Sequence, residues 1–384
     1  MKPIFIFLVF VFCAASAFGQ RAVMPWWHSL EQGKFSFRNG DYGRALMLFE
    51  DARRDRRAKF EQMERDLINF LSLPEVRRLG DSLDWAESFA NQWGHTAAAA
   101  AFRELFFRVP KESLGNSVTR AVEAIGRLRE YPEAEFWIGE VFRVEGELAL
   151  ALAQYRRAYQ RRELFGNPGF VVDLLYQKAE VLRIRQDFIE MESVLLSIIY
   201  YTDALWADAS AVARRTGPSR QMQAEASFAV QAMSRTLENE GPNRFLFMHR
   251  YTNPRSEEAH RRLGLFYAAS GRPSAMPHLM FAFLIQNSTI IDEMFRRQFD
   301  FAFTNLSDLA REINRIPMLV QYTEERQYFK TAYFLADSLF RRGRLGPARE
   351  LWTFLAEEPR AGEWHSRSIA QLRNPRLEPI VQMP

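Results

Sequence analysis

The segment Gly139-Glu-Val-Phe-Arg-Val144 returns 40 residues later as Ala179-Glu-Val-Leu-Arg-Ile184. Each copy runs on into a turn and a second amphipathic stretch, Glu145-Gly-Glu-Leu148 in one and Arg185-Gln-Asp-Phe188 in the other. A match at fixed offset marks one structural unit used again. In the clearest copy, Ile138, Gly139 and Phe142 lie on the first helix, and Ala151, Tyr155 and Ala158 lie on the second. Gly139 and Ala151 stand where the two helices cross, because a missing or minimal side chain lets the backbones approach; Phe142 and Tyr155 then fill the remaining space.

Further copies extend outward from this one. Gly33, the turn Asn39-Gly-Asp-Tyr42, then Ala45, Phe49 and Ala52 form the earliest, with Ser36 where an aromatic belongs. Trp85, Ala86 and Phe89, followed by Ala98, Phe102 and a closing Pro110, give another. Leu263, Gly264, Tyr267 and Gly271 open a copy whose second helix carries Pro273 and Pro277, with Met276 in place of the small residue. Leu335, Ala336, Leu339, Gly343, Ala348 and Trp352 form the last. Successive second-helix positions (Ala45, Ala98, Ala151, Met191, Met276, Ala348) lie 40 to 85 residues apart, so extra helices are expected between pairs, at 203–214, 221–239, 290–303 and 306–315. Strand signals are nearly absent and breaks fall at Gly and Pro. The fold class is all-α: stacked antiparallel helix pairs with irregular inserted helices.

The order of residues in these copies resembles the tetratricopeptide repeat, whose pattern reads L-G-x-x-Y and then A-x-x-x-F with a regular period of about 34 residues. The resemblance covers about half the chain by motif. It implies an α-solenoid in which Gly33, Ala45, Ala86, Ala98, Gly139, Ala151, Ala179, Gly264, Ala336 and Ala348 serve repeat packing. It also implies a protein-binding concave groove lined by first-helix residues: Phe136, Glu140 and Arg143; Tyr176, Glu180 and Arg183; Tyr333, Asp337 and Arg341. Two readings of these positions stand side by side. Glu140 with Arg143 and Glu180 with Arg183 are i and i+3 neighbours that satisfy each other, or they face a partner.

Composition agrees with a folded chain: 384 residues, 47% hydrophobic, 14% aromatic and 26% charged. The 33 Phe, 12 Tyr and 8 Trp exceed what single helical stripes bury, so most are inter-helix core and some form an apolar patch for a partner. A net charge of +4 is too weak for a general nucleic-acid binder. Only six of the 51 basic residues are lysine, a bias that genome composition or a need for planar, bidentate contacts would each produce. The run Arg53-Arg-Asp-Arg-Arg57 with Lys59 reads as a solvated helix face, with contact to anionic lipid, cell-wall polymer or an acidic protein as the alternative.

Residues 1–19 have the tripartite form of an export signal: Lys2, an apolar core from Ile4 to Cys13, then Ala14-Ala-Ser-Ala17. Cleavage is expected after Ala17 or Gly19, giving a periplasmic or secreted protein. Lipid attachment at Cys13 is the alternative, against which stands the bulky Phe12. Removal of the signal leaves no cysteine, hence no disulfide framework and no thiolate metal site. No later stretch is long and apolar enough to span a membrane.

Chemistry-bearing motifs are absent: no H-E-x-x-H, G-x-S-x-G, P-loop or G-x-G-x-x-G occurs. The six histidines, His28, His95, His249, His260, His278 and His365, read as surface or helix-end residues. Glu133 with Glu135, and Glu190 with Glu192, are i and i+2 pairs that do not share a helix face. No enzymatic activity, cofactor or metal is expected.

The expected organisation is a signal at 1–19, N-terminal repeats over 26–200, a helical insertion and loop over 201–256, C-terminal repeats over 257–360 and an extended tail over 361–384. Within 240–256, Gly241-Pro242-Asn243 and the apolar Phe245-Leu-Phe-Met248 read as a loop tucked onto the repeats. Exported proteins of this kind look like scaffold components of cell-envelope machines, including the collar of periplasmic flagella. The expected partners are therefore other proteins of an envelope complex. A cell-wall glycan enzyme and a lipid-tethered outer-membrane assembly factor are the alternatives.

Overall fold

The computed structural model describes residues 25–203 and 220–379, with side chains from 229 onward in the second stretch. The export signal with Cys13, nearly all of the helix expected at 203–214, and residues 380–384 of the tail lie outside these residues. Among the described residues the regular structure is helical, apart from one isolated bridge between Ser82 and Ser117. The chain divides into two units, Met1–Leu174 and Leu175–Pro384.

The first unit is built on one long helix. Helix α1 (Trp26–Arg38) packs antiparallel on α2 (Tyr42–Leu71), a 30-residue helix that also receives α5, α6 and α7. The short α3 (Pro74–Arg77), α4 (Leu83–Gln92), α5 (Thr96–Arg108) and α6 (Val118–Leu128) gather at its far end, and the pair α7 (Pro132–Val144) and α8 (Leu148–Gln160) at its start. Helix α2 buries Ala45, Phe49, Ala52, Arg56, Phe60, Met63, Leu67 and Phe70, a stripe at three- and four-residue steps that fits the helical period. One end of the stripe joins Leu30, Tyr131, Ile138 and Val141; the other joins Leu83, Ala98, Phe102 and Ile125.

Small residues sit where the helices touch. A methyl added to Gly139 would come within 2.7 Å of the Tyr155 ring, and one on Gly33 within 2.5 Å of the Phe49 ring. Ala45, Ala86, Ala98 and Ala151 are buried. The turns also repeat: Gly40, Gly146, Gly271 and Gly343 occupy the left-handed region, and Gln186 takes the same conformation 40 residues after Gly146. Asp41 and Asp187 then cap the following helices, accepting from the backbone N–H of Arg44 and Glu190.

Helix α9 (Gly169–Ile184) carries the unit boundary. The second unit continues with α10 (Phe188–Thr202), α11 (Arg220–Met248), α12 (Pro254–Ala269) and α13 (Ala275–Arg297). It ends with α14 (Leu306–Ile313), α15 (Pro317–Glu325), α16 (Tyr328–Arg341), α17 (Leu345–Glu357) and α18 (Glu363–Arg373). The pairs α12–α13 and α16–α17 stack through α13 on α16, while α11 packs on α13 and α17 as an inserted helix. Ala179, Ala336 and Ala348 are buried, and Gly264 lies so close to α13 that an added methyl would meet the Leu279 backbone N at 2.9 Å.

Four expectations are corrected in this unit. The segment 290–303 is not a separate helix: α13 runs unbroken from Ala275 to Arg297, because Pro277 falls in its first turn, where no N–H is needed. The expected loop at 240–256 is largely helical: α11 breaks only at Gly241 (φ 82°) and resumes to Met248, with Phe245 and Leu246 fully buried. Residues 363–373 of the expected extended tail form α18, whose Ser368 and Gln371 are buried. His260 and His278, expected at the surface or at helix ends, lie inside the unit.

Candidate functional site

A cleft of about 790 Å³ opens in the first unit between the start of α1, the middle of α2, the end of α5 and the segment leading into α7. Its floor is formed by charge and rings together. Arg56 interrupts the apolar stripe of α2 and is only 4% exposed. Its Nε donates to the carbonyl of Leu128 (2.9 Å), at the C-terminal end of α6, where the helix dipole favours a cation. Its guanidinium lies 4.8 Å from the Trp26 ring centre and 4.5 Å from that of Tyr131. These two rings meet edge to face at 4.9 Å.

Arg108, from the last turn of α5, approaches the same Trp26 ring at 4.9 Å while Glu104 holds it at 2.7 Å. Two guanidinium groups thus share one indole, an arrangement that preorders both. Burial pulls the Arg56 pKa below its ordinary value, with Arg108 adding to the shift and Glu133 opposing it. Burial likewise pushes the Tyr131 phenol up. The rim is apolar and open: Trp27 is 53% exposed and Phe107 83%. Glu133 closes one side. One of its carboxylate oxygens accepts from the Gly166 N–H (2.7 Å), and the other is buried without a hydrogen-bond partner.

A smaller pocket of about 340 Å³ in the same unit is lined by Arg53, Arg57, Arg157 and Arg161, with Glu130 and Glu135. Arg53 pairs with Glu135 at 3.1 Å. Arg53 and Arg57 of the basic run therefore border solvent, as expected, whereas Arg56 belongs to the interior.

The expected groove residues are mostly engaged within the chain. Phe136 is buried against Trp137, Tyr155 and Phe170, the last of which lines the large cleft. Glu140 is buried, accepts from the Tyr155 hydroxyl and pairs with Arg143 at 2.8 Å. Tyr176 donates to the Arg255 carbonyl (2.7 Å) and accepts from the Ala259 N–H (3.1 Å). Glu180 pairs with Arg183 (2.8 Å) and Arg262 (3.4 Å), leaving only the Arg183 side chain 46% exposed. Tyr333 and Asp337 are buried, and with Arg341 they hold residues of the C-terminal tail.

The second unit contains a buried polar cluster. His260 Nδ1 faces His278 Nδ1 at 3.0 Å, and His260 Nε2 lies 3.5 Å from Asp203 Oδ2. Asp203 also accepts from the Tyr251 hydroxyl (2.6 Å) and the Ser256 hydroxyl (3.1 Å). Burial lowers the pKa of both histidines; the Asp203 carboxylate counters this at His260, and the proximity of His260 adds to it at His278.

The carboxylate pairs noted in the sequence go separate ways. Glu135 binds Arg53 while its neighbour Glu133 turns to the cleft; Glu190 pairs with Lys178 (2.9 Å) and Glu192 with Arg272 (2.8 Å). Among the described residues no group of three or more His, Cys, Asp or Glu side chains is placed to hold a metal, and no helix is long and apolar enough to cross a membrane.

Sequence reasoning missed the large cleft, although its signal was present. Arg56 stands four residues after Ala52 and four before Phe60, on the buried stripe rather than on the solvent face of its basic run.

No family model matches the chain. The chain is similar to an uncharacterized protein of Treponema pallidum (strain Nichols), 24% identical over 348 residues that cover 90% of this chain and 89% of the relative.

Proposed function

We propose that this protein is an exported, tetratricopeptide-like scaffold that holds other proteins of a cell-envelope assembly, and that the large cleft of its first unit is a docking surface. The observation that carries this is the exposed pair Trp27 and Phe107 beside two ring-held guanidinium groups. Exposed aromatics next to preordered arginines are the composition that anchors protein partners, and they favour a partner segment that offers an apolar side chain and a carboxylate. The sharper form places the protein in an envelope machine such as the collar of periplasmic flagella; it rests on the sequence resemblance and the apparent export signal.

Co-purification of the tagged chain from its native host tests the proposal. Envelope or motor-associated proteins should be recovered with the unaltered chain and lost with a Trp27→Ala/Phe107→Ala variant, whose changes lie at exposed positions. Equal recovery with both, or nothing above background, would count against it.

One observation favours a second reading, an enzyme acting on cell-wall glycan: the unpartnered Glu133 oxygen in an aromatic-lined cleft. Glycan hydrolysis that disappears in Glu133→Gln would establish that reading in place of the first.

A further inference from the structure

The tail occupies groove positions of the last helix pair in the second unit. After α18 ends at Arg373, residues 374–379 run back in extended form across α16. The contacts to its main chain fall at Arg376 and Glu378. The Gln371 side-chain amide donates to the Arg376 carbonyl (3.0 Å), and its oxygen accepts from the Arg376 N–H (2.8 Å). Two residues on, Asp337 accepts from the Glu378 N–H (3.1 Å) and Arg341 donates to the Glu378 carbonyl. Asp337 and Arg341 are themselves fixed together at 2.7 Å. The groove therefore reads an extended backbone at alternate residues, as a strand edge would, but with side chains.

One side chain is read as well. The Glu378 carboxylate pairs with Arg367 (2.6 Å) and accepts from the Tyr333 hydroxyl. Arg367 is held for this contact: its guanidinium lies 4.7 Å from the Tyr333 ring centre and 4.8 Å from the Trp364 ring centre. Leu377, between the two gripped residues, is 56% exposed and contributes no anchor. The tail thus rests on one glutamate and on hydrogen bonds that any extended chain can supply.

Taking the chain as a holder of segments from other proteins, we infer that residues 376–378 are an internal occupant of a second docking site, which, once vacated, takes an extended partner segment carrying a glutamate. The tether is short, so the tail competes at high effective concentration and keeps the site closed to weak or non-specific segments. A partner enters only by matching the backbone pattern and the carboxylate together.

The test uses a fluorescein-labelled peptide of residues 374–384 and the purified full-length chain, read by fluorescence anisotropy. The Glu378→Ala chain should bind the peptide at least tenfold more tightly than the unaltered chain. The isosteric Glu378→Gln chain, whose side-chain oxygen can still accept from Tyr333 and Arg367 but carries no charge, should fall between them. Adding Arg367→Ala to Glu378→Ala, or replacing the peptide's glutamate by glutamine, should abolish binding. Equal binding by the unaltered and Glu378→Ala chains, no binding by either opened chain, or indifference to Arg367→Ala would overturn the inference. Doubling of the unaltered chain's mass in solution through exchanged tails would overturn it too. Because the probe is the chain's own tail, this outcome is independent of whether envelope proteins are recovered from the host.

Discussion

Arg56 and Trp26 hold each other in place: the guanidinium of a helix-interior residue lies 4.8 Å from the centre of the indole ring that begins the described helices. The same guanidinium satisfies the Leu128 carbonyl. Removing it leaves that carbonyl short of a partner and takes away the cation that orders two rings. Arg56→Ala should therefore cost about 2 kcal/mol of stability. Arg56→Lys should recover less than half of this, because an ammonium has no planar face to lie against Trp26 and Tyr131. Thermal unfolding of the two variants checks the order.

Gly264 is the glycine whose replacement should cost most among the helix crossings. An added methyl meets the backbone N of Leu279 at 2.9 Å, and backbone cannot rotate aside as the Tyr155 ring can beside Gly139. Gly264→Ala should lower stability by about 2 kcal/mol and Gly139→Ala by less. Gly43, on α2 with nothing within 4 Å of an added methyl, should tolerate alanine or gain a few tenths of a kcal/mol. Denaturant titration would resolve the three.

The repeated turn predicts an opposite pair of effects. Gly146 and Gln186 both adopt positive φ, 85° and 59°. Gly146→Ala should cost about 1 kcal/mol, whereas Gln186→Gly should be neutral or stabilising by up to about 1 kcal/mol. A loss of stability in Gln186→Gly would show that the glutamine side chain matters there.

The second unit should weaken on mild acidification. Its buried His260 and His278 have folded pKa values below the ordinary 6.5, so the unfolded chain binds more protons as pH falls beneath that value. Their contribution is fully present above about pH 6.5 and is lost as pH falls toward the folded values, by at most about 1.4 kcal/mol per pH unit for each histidine. The melting temperature should drop between pH 7 and 5, and His278→Phe should flatten that slope. A slope unchanged in the variant would assign the acid sensitivity elsewhere.

The helical pairs were legible in the sequence because small and aromatic residues recur at fixed offsets, and these are the residues that touch at the crossings. Gly139 and Gly264, singled out by that spacing, do lie at such crossings, against Tyr155 and Leu279. Much of the candidate site was not legible, for two physical reasons. Arg56 looks like its solvated neighbours until the stripe of α2 is phased residue by residue, and the rings that bury it come from Trp26 and Tyr131, far away in sequence. His260, His278 and Asp203 likewise meet only through packing, His260 facing one residue 18 positions on and another 57 positions back in the sequence. At 363–373 the few apolar residues suggested an extended tail, yet Trp364 against Tyr333 and the buried Ser368 and Gln371 suffice to dock a helix.

The most direct test of the docking cleft is site-specific photocrosslinking in the native host, with a photoreactive residue placed at Trp27 or Phe107 and, as a control, at Phe35. Phe35 is also exposed, at 67%, but does not line the cleft. Positions 27 and 107 should give the same discrete envelope-protein adduct, and position 35 should give none. No adduct from the cleft positions, or the same adducts from all three, would contradict the assignment of the cleft as the partner-binding surface.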